Sequence, residues 1–343
     1  MKEITTDVAI VGSGGAGLRA AIEAHDNGAN VLVLSKSMHR KAHTVMAEGG
    51  IAAALGNMDK GDNWRVHAND TLKDGIFLGN RTMIETMAKE GPERIMELEH
   101  WGCIFDRKKD GKIHQRPFGA HTYDRVCHIG DRTGLEIIQT LADQVRKRKI
   151  PYVEEVVVTN LLTSNKRVTG ITAVDMKTGE FVIVNCKAVI FCTGGYARIY
   201  KNTTNPWECT GDGYAIAYQH GVELIDMEML QFHPTGMIWP QSARGLLVTE
   251  SVRGDGGVLL NTNNERFMKK YDPERMELSA RDVVARANYT EIKEGRGTER
   301  GGVYLDITHK SKDYLNKRLP KMIQQFEDFA NVDIRKEKME VAP

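Results

Sequence analysis

One run near the N-terminus constrains the fold more than any other. Asp7-Val-Ala-Ile-Val-Gly12 passes directly into Gly12-Ser13-Gly14-Gly15-Ala16-Gly17. The apolar residues suit a buried parallel strand. The glycines complete a G-x-G-x-x-G, which carries meaning only between a strand and a helix. A helix is predicted there, from Leu18 to Asn27, with Gly28 as the residue that stops it. In that setting Gly12 makes the tight turn and Gly14 lets a pyrophosphate approach the helix N-terminus. Gly17 permits close packing of helix on strand. Asn30 to Ser35 supplies a second strand. The chain therefore starts as a Rossmann-like α/β unit that binds a dinucleotide.

The end of the second strand narrows the choice of nucleotide. A carboxylate about 20 residues beyond the glycines ordinarily holds the adenosine ribose, but this chain has Ser35-Lys36. The missing acid counts against NAD, and no second basic residue completes a clamp for NADP. Next comes His43-Thr44-Val-Met-Ala47-Glu48-Gly49-Gly50-Ile-Ala-Ala53. Adjacent glycines allow backbone N–H groups to approach a flat ring or a phosphate. A histidine beside them can be a base, a ligand or a nucleophile toward an electrophilic cofactor carbon.

The 343 residues leave room for two domains of ordinary size. Lys and Arg number 47 against 46 Asp and Glu, so no electrostatic case exists for nucleic acid. No stretch approaches the ~18 consecutive apolar residues of a membrane helix. The first strand begins where a cleaved leader would remove it, so a cytoplasmic or organelle-matrix location is expected. The cysteines, at 103, 127, 186, 192 and 209, form no C-x-x-C pair. They are expected to be reduced buried thiols, with no metal site, and any iron–sulfur centre would belong to another chain.

Further on, Leu72 to Gly102 is predicted helical in two pieces broken near Gly91-Pro92. Asp131-Arg-Thr-Gly134 opens a helix running to about Arg148. From Tyr152 the period changes. Tyr152 to Val158, Arg167 to Val174 and Glu180 to Val184 read as an antiparallel meander, with turns at Ser164-Asn-Lys and Lys177-Thr-Gly179. Ala188 to Cys192 is again a buried strand, closing on Thr193-Gly-Gly195 near whatever the first glycine loop holds. Thr210-Gly-Asp212-Gly213 opens a helix, with Asp212 placed either to accept from ribose hydroxyls or to cap it. Past about residue 225, His, Thr, Glu and Arg crowd into turns: Gln231-Phe-His233-Pro-Thr-Gly236, Leu247-Val-Thr249-Glu250-Ser-Val-Arg253-Gly254 and Ser279-Ala-Arg281-Asp-Val-Val-Ala-Arg286. This composition suits a small carboxylate anion, for which Arg is a planar fork and His and Thr are added donors.

The runs GSGGAG, SK, AHTVMAEGGIAAAL, QRPFG, DRTG, CTGG, TGDG, QFHPTG, TESVRGDGG, ERFM, RDVVAR, EGRG and GGVYLD occur in that order. Together they resemble the flavoprotein subunit of succinate dehydrogenase and fumarate reductase, across essentially the whole chain. The resemblance implies FAD, bonded covalently to His43 through its 8α carbon. Gly12, Ser13, Gly14, Gly15, Ala16 and Gly17 would cradle the pyrophosphate. Ser35 and Lys36 would lie near the adenosine, Thr44, Ala47, Glu48, Gly49 and Gly50 would line the flavin, and Asp212 would contact FAD. His233, Thr249 and Glu250 match dicarboxylate contacts. Arg281 matches the proton-transfer arginine, and Arg253 the relay that connects it to solvent. The implied reaction is oxidation of succinate to fumarate or its reverse, with electrons passing to an iron–sulfur subunit, then to quinone. Membrane anchor subunits would hold the assembly on the inner face of the cytoplasmic membrane.

Some positions depart from the family pattern. His39-Arg-Lys41-Ala42-His43 replaces a common Pro-x-Arg-Ser-His, and His39 becomes a rival attachment point four residues out of register. Val252 stands where many members carry a reactive cysteine. The expected architecture is α/β: a FAD-binding domain with its β-meander over 1–225 and an α+β capping domain over 226–343. The family's second FAD segment and helical domain would be absent, so this chain alone is expected to hold FAD weakly and to turn over little. L-aspartate oxidase is the close rival, disfavoured by His43 and Phe118. A nicotinamide dehydrogenase and a non-catalytic assembly module are the more distant ones.

Overall fold

The computed structural model describes residues 1–343 and contains two compact units, neither of them a single stretch of chain. The first takes Met1–Met46, Gly134–Lys201 and Asn205–Leu230. The second takes Ala47–Thr133, Asn202–Thr204 and Gln231–Pro343.

In the first unit a parallel sheet runs in the order Ala188–Phe191, Val8–Val11, Val31–Leu34, Tyr152–Val153. The middle strands are continuous apolar runs because both faces are covered; Ile10 and Val33 are fully buried. The Gly15–Asp26 helix packs Leu18, Ala21 and Ile22, spaced for one face, toward that core. It ends at Asn27, and Gly28 takes a left-handed φ of 88°. A second sheet places Lys2–Thr5 parallel to Phe181–Asn185, followed by Arg167–Asp175 and Val156–Ser164 in antiparallel order. Asn165 and Lys166 both have positive φ, the signature of a primed hairpin turn. Ala9, Leu34, Val156, Ile171 and Val184 share one apolar cluster, each large member worth about 1.5–3 kcal/mol of burial.

The second unit is built on an antiparallel sheet of Gly236–Met237, Met339–Ala342, Val303–Asp306 and Val258–Leu260. The Arg281–Glu291 and Pro320–Ala330 helices supply Val284, Met322 and Phe326 to the same core as Leu259, Leu305 and Val341. A smaller sheet joins Ile51–Ala52, Val126–Cys127 and Gln115–Arg116. No helix is long and apolar enough to cross a membrane.

Three expectations change. The α/β and α+β classes hold, but the division at 225/226 does not describe the units. Residues 47–133 pack with the second, where Glu250 accepts from the Gly119 N–H and Asp131 accepts from the Lys321 N–H. The helical break lies at residues 75–80, not at Gly91-Pro92. Trp64–Asp74 ends at Gly75, Ile76 and Phe77 are left-handed, and Asn80 caps Arg81–His100 through the Met83 N–H. Pro92 sits inside that second helix, its cost of about 3 kcal/mol offset by buried Ala88, Ile95 and Leu98. Finally, Tyr152 to Val158 is two strands. A left-handed Glu155 (φ 54°) turns the chain after Tyr152–Val153 has joined the parallel sheet, and the meander begins at Val156.

Candidate active site

The first unit holds a cavity of about 430 Å³ lined by the glycine loop, Ser35, Lys36, His43, Thr44, Thr193 to Gly195, Cys209 and Asp212. Gly12 has a φ of 111°, and a Cβ on it would strike the Cys192 carbonyl. A Cβ on Gly17 would strike the carbonyl of Gly12. These two glycines are therefore demanded by the strand–turn–helix itself. Gly14 is the helix N-cap and offers no side chain to its own helix, while the Gly15 N–H donates to Thr44 Oγ1 at 2.9 Å. Buried Ser13 and Ser35 share a hydrogen bond of 2.7 Å that ties the loop to the second strand. An exposed-backbone helix N-terminus of this kind fits a pyrophosphate.

At the other end of the cavity Lys36 Nζ donates to Thr210 Oγ1 (2.7 Å) and Asp212 Oδ2 (2.8 Å), with the Trp207 ring 5.7 Å away. Asp212 is the first residue of the Asp212–Gln219 helix, whose N-cap is Gly211 without a side-chain bond. Asp212 is thus paired with a lysine and does not cap. His43 begins a short 3-10 turn, and desolvation lowers its pKa. The rival His39 packs edge-on against Tyr152 at 4.9 Å and does not line the cavity.

The second unit gathers the anion-binding candidates. Glu250 is 2% exposed, and its Oε2 accepts from Arg281 Nε at 2.6 Å and lies 3.5 Å from Arg253 Nη2. Its Oε1 accepts from the Gly119 N–H at 2.9 Å. Burial alone would raise its pKa, but Arg253, Arg281 and these hydrogen bonds outweigh it and hold the carboxyl below the usual range. Arg281 also donates from Nη1 to Gln231 Oε1 at 3.0 Å. Desolvation and the two guanidiniums push His233 down to about 3, and its Nδ1 is engaged with the Thr235 backbone. Thr249 is buried and bonded to Ser251, its hydroxyl within its own turn. Arg253 is fully buried, donating from Nη1 to the Glu277 carbonyl at 2.6 Å. It lies behind Glu250 on the side away from solvent.

The 47–50 segment is fixed by packing in the same unit. Ala47 is exposed. A Cβ on Gly49 would meet the Phe118 ring, and one on Gly50 would meet Val126 and the Cys127 carbonyl. Buried Arg116 donates to the carbonyls of Glu48, Gly49 and Gly130, holding the turn open. Glu48 is buried against Lys321 Nζ, and desolvation lifts its pKa to about 7. The sequence places Arg116, Gly119 and Gln231 in motifs but gives them no individual role. Their roles run through backbone groups and a neutral amide, which leave no mark in residue type or spacing.

Residues 7–343 match the model of a family described as FAD binding domain. The chain is 48% identical to a fumarate reductase (CoM/CoB) subunit of Methanothermobacter marburgensis over 98% of its own length and 61% of that protein. It is 43% identical to the succinate dehydrogenase flavoprotein subunit of Rickettsia bellii, again over 98% of this chain and 57% of the relative. Among solved structures it resembles E. coli quinol fumarate reductase, at 36% identity and a TM-score of 0.93, covering all of this chain and 60% of that one. Mycobacterium smegmatis Sdh1 aligns at 48% identity and a TM-score of 0.83, over all of this chain and 59% of that one. The chain therefore spans less than two thirds of the length of these relatives. With its dinucleotide cradle and its match over residues 7–343, the chain belongs to the FAD binding domain family.

Proposed function

We propose that the chain carries the FAD- and dicarboxylate-binding parts of a flavoprotein subunit that interconverts succinate and fumarate. The observation that supports this best is the buried Glu250 shared by Arg281 and Arg253, beside a neutral His233. FAD, when bound, supplies the hydride acceptor or donor. The chain's own residues do the rest. Arg281 is 36% exposed, and Nε and Nη1 are engaged, so one face of the guanidinium is left for a carboxylate or for the carbon being deprotonated. An arginine is almost always protonated. Glu250, charged and 2.6 Å away, is the group that can take a proton from it transiently. Arg253 keeps Glu250 ionised from its far side. Neutral His233, its Nδ1 held by the Thr235 backbone, completes the polar cluster beside Glu250 and Arg281.

In this reading His43 forms the covalent link to the flavin. Electrons would leave through an iron–sulfur subunit, and anchor subunits would tether the assembly to the inner face of the cytoplasmic membrane. The test is direct. The protein, supplied with flavin, is assayed for succinate-dependent dye reduction and for flavin fluorescence in a denaturing gel, alongside H43A and R281K. Loss of the gel signal in H43A and loss of turnover in R281K are expected. Turnover with L-aspartate but not succinate would overturn the assignment.

A further inference from the structure

The second unit has another cavity, of about 350 Å³, which none of Glu250, Arg281 and His233 lines. His114, Arg116, Asp124, Asp255 and Arg318 stand in its wall. Two guanidiniums offset two carboxylates there, yet several polar atoms of these side chains have no partner. We propose that this cavity is a second ligand site, suited to a small zwitterion that carries a primary ammonium and a carboxylate, the chemistry of a free amino acid.

A row of three side chains decides what His114 offers. Fully buried His128 brings Nδ1 to 3.0 Å from Asp106 Oδ2 in a bent contact, and its Nε2 lies 2.8 Å from His114 Nδ1. A lone pair on His128 Nδ1 would face an anion, so the proton sits there. His128 Nε2 is then the acceptor, and His114 Nδ1–H donates to it. The lone pair of His114 is left on Nε2, which has no partner. Burial lowers the pKa of both rings, favouring these neutral forms. The Asp124 carboxylate makes no hydrogen bond, and desolvation raises its pKa, with His114 opposing and Asp59 adding. Asp255 is 6% exposed. Its Oδ1 accepts from Tyr314 Oη at 2.9 Å and Arg318 Nε at 3.1 Å, while Oδ2 is buried and unpartnered. Three acceptor groups therefore wait in one wall, and a primary ammonium has three N–H donors. On the donor side Arg116 gives Nε and Nη2 to backbone carbonyls and keeps Nη1 buried without a partner. Unpaired buried donors and acceptors are costly, and a ligand with both kinds of end relieves both. An amine or a carboxylate alone would bring net charge into this partly buried site.

The experiment titrates the full chain with glycine, methylammonium, acetate and trimethylglycine, and follows the ring nitrogens of His114 by NMR. Reading occupancy at His114 keeps it apart from anion binding at the Glu250–Arg281 cluster, which His233 reports. Glycine should shift His114 Nε2 in a saturable way and leave His233 unmoved. Methylammonium lacks the carboxylate, acetate lacks the ammonium, and trimethylglycine keeps both charges but has no N–H. Each should need at least about tenfold more ligand for the same shift, the effect of losing a hydrogen bond to a charged group. D124N, which gives up no bond within the protein, should weaken glycine about tenfold. No shift with glycine, an equal shift with any of the other three, or unchanged glycine affinity in D124N would overturn the proposal. The ligand series needs no substitution, so it decides the matter even where D124N fails to fold.

Discussion

Arg281 Nε donates to Glu250 Oε2 across 2.6 Å, joining a guanidinium that is 36% exposed to a carboxylate that is 2% exposed. The buried partner is stable as an anion because Arg253 flanks it and the Gly119 N–H binds its other oxygen. Removing the charge strands two arginines, one of them fully buried. E250Q should lower kcat by about 100-fold or more, the usual share of a proton-transfer group. It should also cost about 3 kcal/mol of stability. Dye-linked succinate oxidation and urea unfolding measure the two effects, and a variant with unimpaired turnover would contradict the role.

His233 should not titrate between pH 5 and 8, because desolvation and two neighbouring guanidiniums place its pKa at about 3. Carbon–proton NMR of the ring should show flat shifts across that range. H233A should raise KM about tenfold through one lost hydrogen bond to a charged group, with a smaller change in kcat.

Glu48 gives the protein a pH-dependent term. Its folded pKa of about 7 lies above the ordinary 4.5. A raised pKa favours folding fully below the unfolded value, and that contribution fades as the pH rises through the folded one. Wild-type stability relative to E48Q, which cannot ionise, should therefore fall between pH 4.5 and 8, by about 2–3 kcal/mol. Urea midpoints at constant m-value would report it. A rising difference would show that the Lys321 ion pair dominates instead.

Two glycine substitutions should separate crowding from strain. G12A meets both a left-handed φ and the Cys192 carbonyl, whereas G28A meets the φ alone, with nothing within 4 Å. G28A should cost about 1 kcal/mol. G12A should cost at least about 3 kcal/mol and abolish FAD retention, since the loop must shift to accept it. Thermal unfolding and flavin content distinguish the two.

Thiol reagents should leave turnover largely intact. Val252 occupies the fully buried position on the Ser251–Gly254 turn, and burial raises the pKa of Cys127, Cys186, Cys192 and Cys209, Cys127 to about 12. Inactivation by iodoacetamide that succinate prevents would contradict this.

The strand–glycine–helix unit was legible because its constraints are local: a period, a φ sign and a close approach all lie within twenty residues. The cluster of His233, Glu250, Arg253 and Arg281 was legible through its residue types and through likeness to a family. Its detail was not. The relay role of Arg253 came from likeness to the family, which gave no sign that its guanidinium is fully buried between the Glu250 carboxylate and the Glu277 carbonyl. The fate of residues 47–133 was equally hidden. An insertion leaves and rejoins its host with ordinary strand and helix signals, and the contacts that assign it to the second unit, such as Gly119 with Glu250, span more than a hundred residues. Pro92 misled for a related reason, since long-range burial of Ala88 and Ile95 overrode a strong local breaker.

The parallel sheet has a consequence for biosynthesis. Val8–Val11 lies between Ala188–Phe191 and Val31–Leu34, so one of its edges has no partner until the chain has lengthened well past the intervening insertion. At ordinary ribosomal rates that delay is on the order of ten seconds. For that interval a sticky, half-paired ribbon is presented to the crowded cell. Nascent chains of this protein should accordingly depend on a holdase, and slowing translation within codons 47–133 should lower the soluble yield while leaving the mature molecule unchanged.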